Sequence, residues 1–206
     1  MPKLIDLTHI IEDGTPAYPG DERCRLVQTR TVARDGYSSF LFNTGLHAGT
    51  HLDAPLHFLA EGKMVKDIPL ETFMGRGRLL DVRGEDPIVF KDEYKELVEP
   101  GDIVLLWTDC SRKFGRDEYY TAHPVVDQRL AEFLIERGIK MLGMDMPSPD
   151  RMPFALHKSL LMAGIPLLEN LTALDALQDA EEFEITAFPL RISAEGSPVR
   201  VVAKVG

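Results

Sequence analysis

Apolar and polar residues alternate from Lys3 to Thr8, a period of two that predicts an opening strand. Gly14 to Asp21 is dense in Gly and Pro and predicts a loop. Leu26 to Val32 and Tyr37 to Asn43 read as two strands around a hairpin turn at Ala33-Arg34-Asp35-Gly36. Further on, Asp67-Ile68-Pro69-Leu70 is loop-like, Gly77 to Val82 a short strand, and Phe90 to Val98 a helix stopped by Pro100-Gly101. Asp102 to Thr108 is almost continuously apolar, the pattern of a strand buried on both faces. Leu130, Phe133 and Leu134 carry the i, i+3, i+4 spacing of a helix from about Val125 to Arg137, with Gly138 placed to end it. Ile139 to Met146 is a second buried strand, and Phe154 to Ala163 a helix closed by Gly164 and Pro166. Pro166 to Asn170 is extended and Thr172 to Gln178 a short helix. Glu184 to Ile192 and Val199 to Val205 end the chain as strands joined through residues 194–198. The pattern is α/β, one domain over residues 1–206, with no repeat and no linker.

Onto this frame the chain loads half of its six histidines within one window, His47-Ala48-Gly49-Thr50-His51-Leu52-Asp53-Ala54-Pro55-Leu56-His57-Phe58. Imidazole nitrogen and carboxylate oxygen are the donors a borderline divalent cation such as zinc prefers. His47 and His51 stand four apart, but Gly49 and Pro55 argue against a helix, because Gly weakens one and Pro removes an amide donor. In an extended backbone His51 and Asp53 point to one side, and Gly49 lets His47 fold back toward the same point.

The window resembles HxGTHxDxPxHF, the signature of the metal-dependent cyclase-type hydrolases, a family that takes in bacterial kynurenine formamidases and isatin hydrolases. Every defining position is present, and the resemblance extends over nearly the whole chain. It implies a swivelling β/β/α fold and a site completed from the second half of the sequence. There His157, in an expected helix, and Glu169, twelve residues later, match the family's pattern, just after a similar DxPSxD run at Asp145 to Asp150. The resemblance thus assigns His47, His51, Asp53, His157 and Glu169 as metal ligands. It implies two divalent ions, zinc in the first place and manganese as the alternative, with the carboxylates able to bridge them.

His57, the remaining histidine of the motif, is implied as the proton shuttle. The expected activity is hydrolysis of a small amide, arylformamidase-like, with metal-bound hydroxide attacking the carbonyl. Hydrolysis of a cyclic amide or lactone, or a cyclisation or dehydration on the same metals, is the alternative within enzymes. A non-catalytic metal-binding protein is the alternative outside them, disfavoured because a structural site has no need of an uncoordinated histidine. The family's WPGD loop, whose Trp helps to bind substrate in kynurenine formamidases, reads Tyr18-Pro19-Gly20-Asp21 here, so Tyr18 is expected in the substrate wall.

Composition narrows the partners. A net charge of −10 without a basic stretch disfavours nucleic acid. Cys24 and Cys110 form no CxxC pair, and the start Met1-Pro2-Lys3-Leu4-Ile5-Asp6 reads as neither signal peptide nor membrane span, so a cytoplasmic protein is expected. No G-x-S-x-G elbow offers a serine nucleophile. His9, His123, Cys110 and Trp107 are expected to be structural. The expected partner is a small-molecule substrate, and the family implies a homo-oligomer, a dimer or larger.

Overall fold

A computed structural model describes residues 2–206. The chain opens with β1 (Lys3–Asp6), then β2 (Arg25–Arg30), the helical turn α1 (Val32–Asp35) and β3 (Ser39–Asn43). Next come β4 (His51–Asp53), β5 (Met74–Asp81), α2 (Tyr94–Leu97), β6 (Ile103–Trp107), α3 (Asp117–Thr121) and α4 (Gln128–Arg137). β7 (Met141–Met144), α5 (Ala155–Met162), β8 (Leu167–Glu169), β9 (Phe183–Thr186), β10 (Gly196–Pro198) and β11 (Val202–Val205) complete it.

Nine strands form one sheet in the order β1-β11-β9-β5-β6-β7-β8-β4-β10, and β2 pairs with β3 alone. The central run β5 to β8 is parallel and both flanks are antiparallel. The sheet curls on itself: Thr8, just past β1, bridges Leu171, just past β8. The fold is thus the single-domain mixed α/β arrangement expected.

The apolar run of β6 explains the layering. Ile103, Leu105 and Trp107 enter one core with Leu7, Leu52 and Phe183, inside the curl. Val104 and Leu106 face the opposite way and pack with Leu130 and Leu134 of α4 and Leu160 and Leu161 of α5. Each such fully buried side chain contributes roughly 1.5–3 kcal/mol relative to exposure. The central strand is therefore sealed on both sides, which fixes the ends of β4, β7 and β8 around the site.

Several boundaries differ from the sequence pattern, for physical reasons. The expected hairpin turn at residues 33–36 is a helical turn, because the Asp35 carboxylate accepts the Thr31 amide at 2.9 Å and winds the chain back. The expected helix from Phe90 to Val98 shrinks to α2, which no side chain caps at its start and which Val98 ends in an extended conformation. The long helix starts at Gln128 and not near Val125. Val126 is held extended by a bridge to Ile88, and the Asp127 carboxylate caps the Leu130 amide at 2.8 Å. The expected strand from Glu184 to Ile192 stops at Thr186, and part of the expected connector, Gly196–Pro198, is itself an edge strand beside β4. Proline is tolerated on an edge, where its missing donor faces no neighbour.

Candidate active site

β4 and β8 pair antiparallel with His51 directly opposite Glu169, so two of the expected ligands share one rung of the sheet. Asp53, two residues on, points to the same side as His51, as the period of a strand requires. Gly49 sits at φ +66°, a left-handed conformation that side-chain-bearing residues rarely adopt, and reverses the chain so that the His47 ring meets His51 at 4.9 Å between centroids. α5 brings His157 in from the second core. A Cβ on Gly196 in β10 would lie 2.9 Å from Cε1 of His47, so the bare glycine makes room for that ring.

All five expected ligands converge. His47 Nδ1 lies 2.8 Å from Asp53 Oδ1, and His51 Nε2 lies 3.3 Å from the same oxygen and 3.4 Å from Glu169 Oε2. His157 Nε2 is 3.2 Å from Glu169 Oε1 and 3.9 Å from Asp53 Oδ2. Ligand atoms of His47, His51 and Asp53 all lie within 4.8 Å of one another, and so do those of Asp53, His157 and Glu169. Yet His51 Nε2 and Asp53 Oδ2 are buried without any hydrogen-bond partner. Buried polar groups ordinarily find partners, so a crowd of metal-ligating atoms that leaves these two unpaired fits a cation between them. The all-nitrogen-and-oxygen donor set suits zinc or manganese.

Charge follows the same geometry. Burial opposes the imidazolium of His51, but the carboxylates of Asp53 and Glu169, 3.3 and 3.4 Å away, outweigh it and hold the group up at about 10. At His157 burial is again opposed, here by Asp150 and Glu169, and the result is also about 10. His47 is raised, burial being overcome by Asp53. Burial would push Asp53 up, but the bond from His47 and the nearby His51 ring hold it well below the carboxylate range. Of the histidines in the cluster only His57 moves the other way: burial lowers it, and the negative charge of Asp53 does not compensate.

His57 lies in a short 3-10 turn, Pro55–His57, stacked on His47 at 4.1 Å and outside both ligand groups. A cavity of about 350 Å³ is lined by Tyr18, Phe58, Tyr120 and Phe154 together with the histidine cluster, His57 included. Tyr18 and Tyr120 meet edge to face at 5.9 Å, so the expected aromatic wall has a second member.

His9, His123, Cys110 and Trp107 stay outside the cluster. His9 stacks on Phe114 at 3.9 Å, His123 bonds the Pro124 carbonyl, and Trp107 is core. Tyr120, Asp150, Asn170 and Glu195 are site residues that the sequence pattern did not single out. Asn170, at φ +55°, accepts from Tyr119 Oη at 2.7 Å and donates to the Gly49 carbonyl at 2.8 Å, tying α3 and β8 to the His47–His51 turn. Its signal was its place beside Glu169. Asp150 lay in the DMPSPD run, and nothing in the sequence pointed to Glu195.

Known proteins share this sequence and fold. Residues 5–151 match the Cyclase family model, described as "Putative cyclase". The chain is 33% identical over 205 residues to a kynurenine formamidase of Bacillus thuringiensis, covering 97% of this chain and 96% of that one. Isatin hydrolase A from Labrenzia aggregata, solved with benzyl benzoate, superposes with a TM-score of 0.86 at 26% identity, over 99% of this chain and 94% of that one. A predicted metal-dependent hydrolase from Bacillus stearothermophilus gives a TM-score of 0.80 at 26% identity, over 99% and 98%. The protein is a member of the cyclase family of hydrolases.

Proposed function

We propose that this protein is a metal-dependent hydrolase of a small amide, arylformamidase-like, cleaving a carbon–nitrogen bond other than a peptide bond. The observation that carries the reading is the split of two carboxylates. Asp53 offers Oδ1 to His47 and His51 and Oδ2 to His157, while Glu169 offers Oε2 to His51 and Oε1 to His157. That is a frame for two divalent ions, held by His47, His51 and Asp53 on one side and Asp53, His157 and Glu169 on the other, with zinc the first choice and manganese the second.

Bound there, the ions supply Lewis acidity, lowering the pKa of water and countering negative charge on a carbonyl oxygen. The chain does the rest. Tyr18, Tyr120, Phe58 and Phe154 hold an aromatic or other flat acyl-amide group and exclude water. His57, neutral at pH 7 and uncoordinated, takes a proton at one ring nitrogen and delivers it to the departing amine.

The substrate is tested with a panel of formylanilides, formylkynurenine, cyclic imides and lactones on protein supplied with zinc or manganese. Turnover of the open-chain formamides is expected. Turnover confined to ring opening would favour the second reading, cyclic-amide hydrolysis, which the likeness to isatin hydrolase A supports. No divalent metal retained and no turnover of any member would overturn both.

The reading extends to assembly and location. Phe40, Leu41 and Phe42 are 55%, 61% and 45% exposed on the β2–β3 hairpin, which also carries Arg25, Arg30 and Arg34 in a chain of net charge −10. An apolar, basic arm on an acidic body suits docking on a second copy, and a homodimer or larger assembly follows. Cys24 and Cys110 are both free, consistent with a cytoplasmic setting. Among the described residues no helix is long and apolar enough to cross a membrane.

A further inference from the structure

His157 has a carboxylate at each ring nitrogen. Nδ1 lies 2.5 Å from Asp150 Oδ1, and Nε2 lies 3.2 Å from Glu169 Oε1. An imidazole can present either nitrogen to a cation, and the bond made by the other decides which one is free. The two sides differ in freedom. Glu169 divides its oxygens between His157 and His51, whereas Asp150 is pinned. Its Oδ2 accepts the Leu156 amide at 2.7 Å, in the first turn of α5, and Ser148 Oγ bonds its carbonyl at 2.5 Å. Only Oδ1 remains for the ring, and Asp150 belongs to neither ligand group.

We infer that Asp150 is a positioning residue that keeps the His157 proton on Nδ1 and aims the Nε2 lone pair at the point between Asp53 and Glu169. Such a carboxylate–histidine pair fixes both the tautomer and the ring plane of a metal ligand. His51 has a carbonyl in that place, with Nδ1 held 2.8 Å from Gly49 O, but only His157 is held by a buried carboxylate that belongs to neither ligand group. The inference rests on reading His157 as a metal ligand.

The test separates positioning from helix capping. In Asp150→Asn the amide oxygen can still accept the Leu156 N–H, so α5 stays capped. The NH2 then faces Nδ1 and demands a lone pair there, which moves the ring proton to Nε2, where the cation belongs. Zinc is titrated into chelator-stripped wild type, D150N and H157A, and melting of the stripped proteins is followed alongside. Positioning predicts D150N melting within a few degrees of wild type, with one of two zinc affinities lowered by about 10- to 100-fold. Wild-type affinity at both sites in D150N overturns the inference.

Should D150N fail to fold, the nitrogen NMR signals of His157 in the zinc-loaded wild type decide. Zinc on Nε2 with a strongly hydrogen-bonded proton on Nδ1 supports positioning, and zinc on Nδ1 overturns it. If H157A keeps both ions, the ligand reading itself falls and the inference falls with it.

Discussion

Asp53 Oδ2 lies 3.9 Å from Nε2 of His157, buried and without a hydrogen-bond partner, while its other oxygen receives His47 at 2.8 Å. One carboxylate thus faces two ligand groups, and neither group is complete without it. Asp53→Asn is expected to weaken both ions together, by at least about 100-fold, since the amide lacks the charge that offsets two cations. Glu169→Gln is expected to weaken both as well. Zinc titration with elemental analysis checks this, and wild-type stoichiometry and affinity in either variant would rule out its bridging role.

His57 separates chemistry from binding. Its ring stacks on His47 but belongs to neither ligand group. His57→Ala should keep the metal content while turnover falls about 10²- to 10⁴-fold, the span of a positioned acid–base group. Alkylamine leaving groups should suffer most, because they depart protonated. Burial keeps His57 neutral at pH 7, so wild-type activity should fall only at acid pH, as the lowered group takes its proton. Loss of metal in the variant would make His57 a ligand instead.

Metal loading should release protons. His51 and His157 are held at about 10 in the fold without metal, so both are protonated at pH 7, and a cation needs their lone pairs. Affinity is therefore expected to rise as pH rises from 7 toward 10. Titration calorimetry in buffers of different ionisation enthalpy counts the protons, and none released would contradict the pairing. The stripped protein should behave oppositely: pairing that raises these groups stabilises it fully below about 6.5, and that contribution fades as pH climbs toward 10.

His9 titrates in the reverse sense. Burial pushes it down to about 4, and its Nε2 has no partner. Its contribution is complete above the unfolded value near 6.5 and is lost as pH falls toward 4. Between pH 7 and 4.5 wild type should lose roughly 1–2 kcal/mol more than His9→Gln in urea unfolding, the full linkage being discounted for partial exposure. Equal losses would show that His9 is not held neutral.

The fold and site were legible in the sequence where one short stretch carries its own geometry. The apolar run of β6 announced a strand sealed on both faces, and Gly49, Pro55 and the spacing of His51 and Asp53 announced an extended, reversed segment. Asp127 overruled the helix periodicity near Val125 through a side-chain cap that a hydrophobic pattern does not register. Gly196-Ser197-Pro198 read as part of a connection between strands because its identity as a strand comes from β4, far away in sequence. Asn170 and Glu195 escaped for the same reason, each acting on a turn or a histidine that only the folded chain brings near, whereas Asp150 stands seven residues from His157 and its bond to that ring depends on how α5 begins.

The rung that pairs His51 with Glu169 joins residues well over a hundred positions apart in the chain. A slip of β4 against β8 by one residue would turn His51 and Asp53 to the opposite face and scatter the donors. Correct assembly of that seam and possession of a metal site are thus a single event. A misregistered chain cannot masquerade as loaded protein, so bound metal reports on how faithfully the sheet has closed.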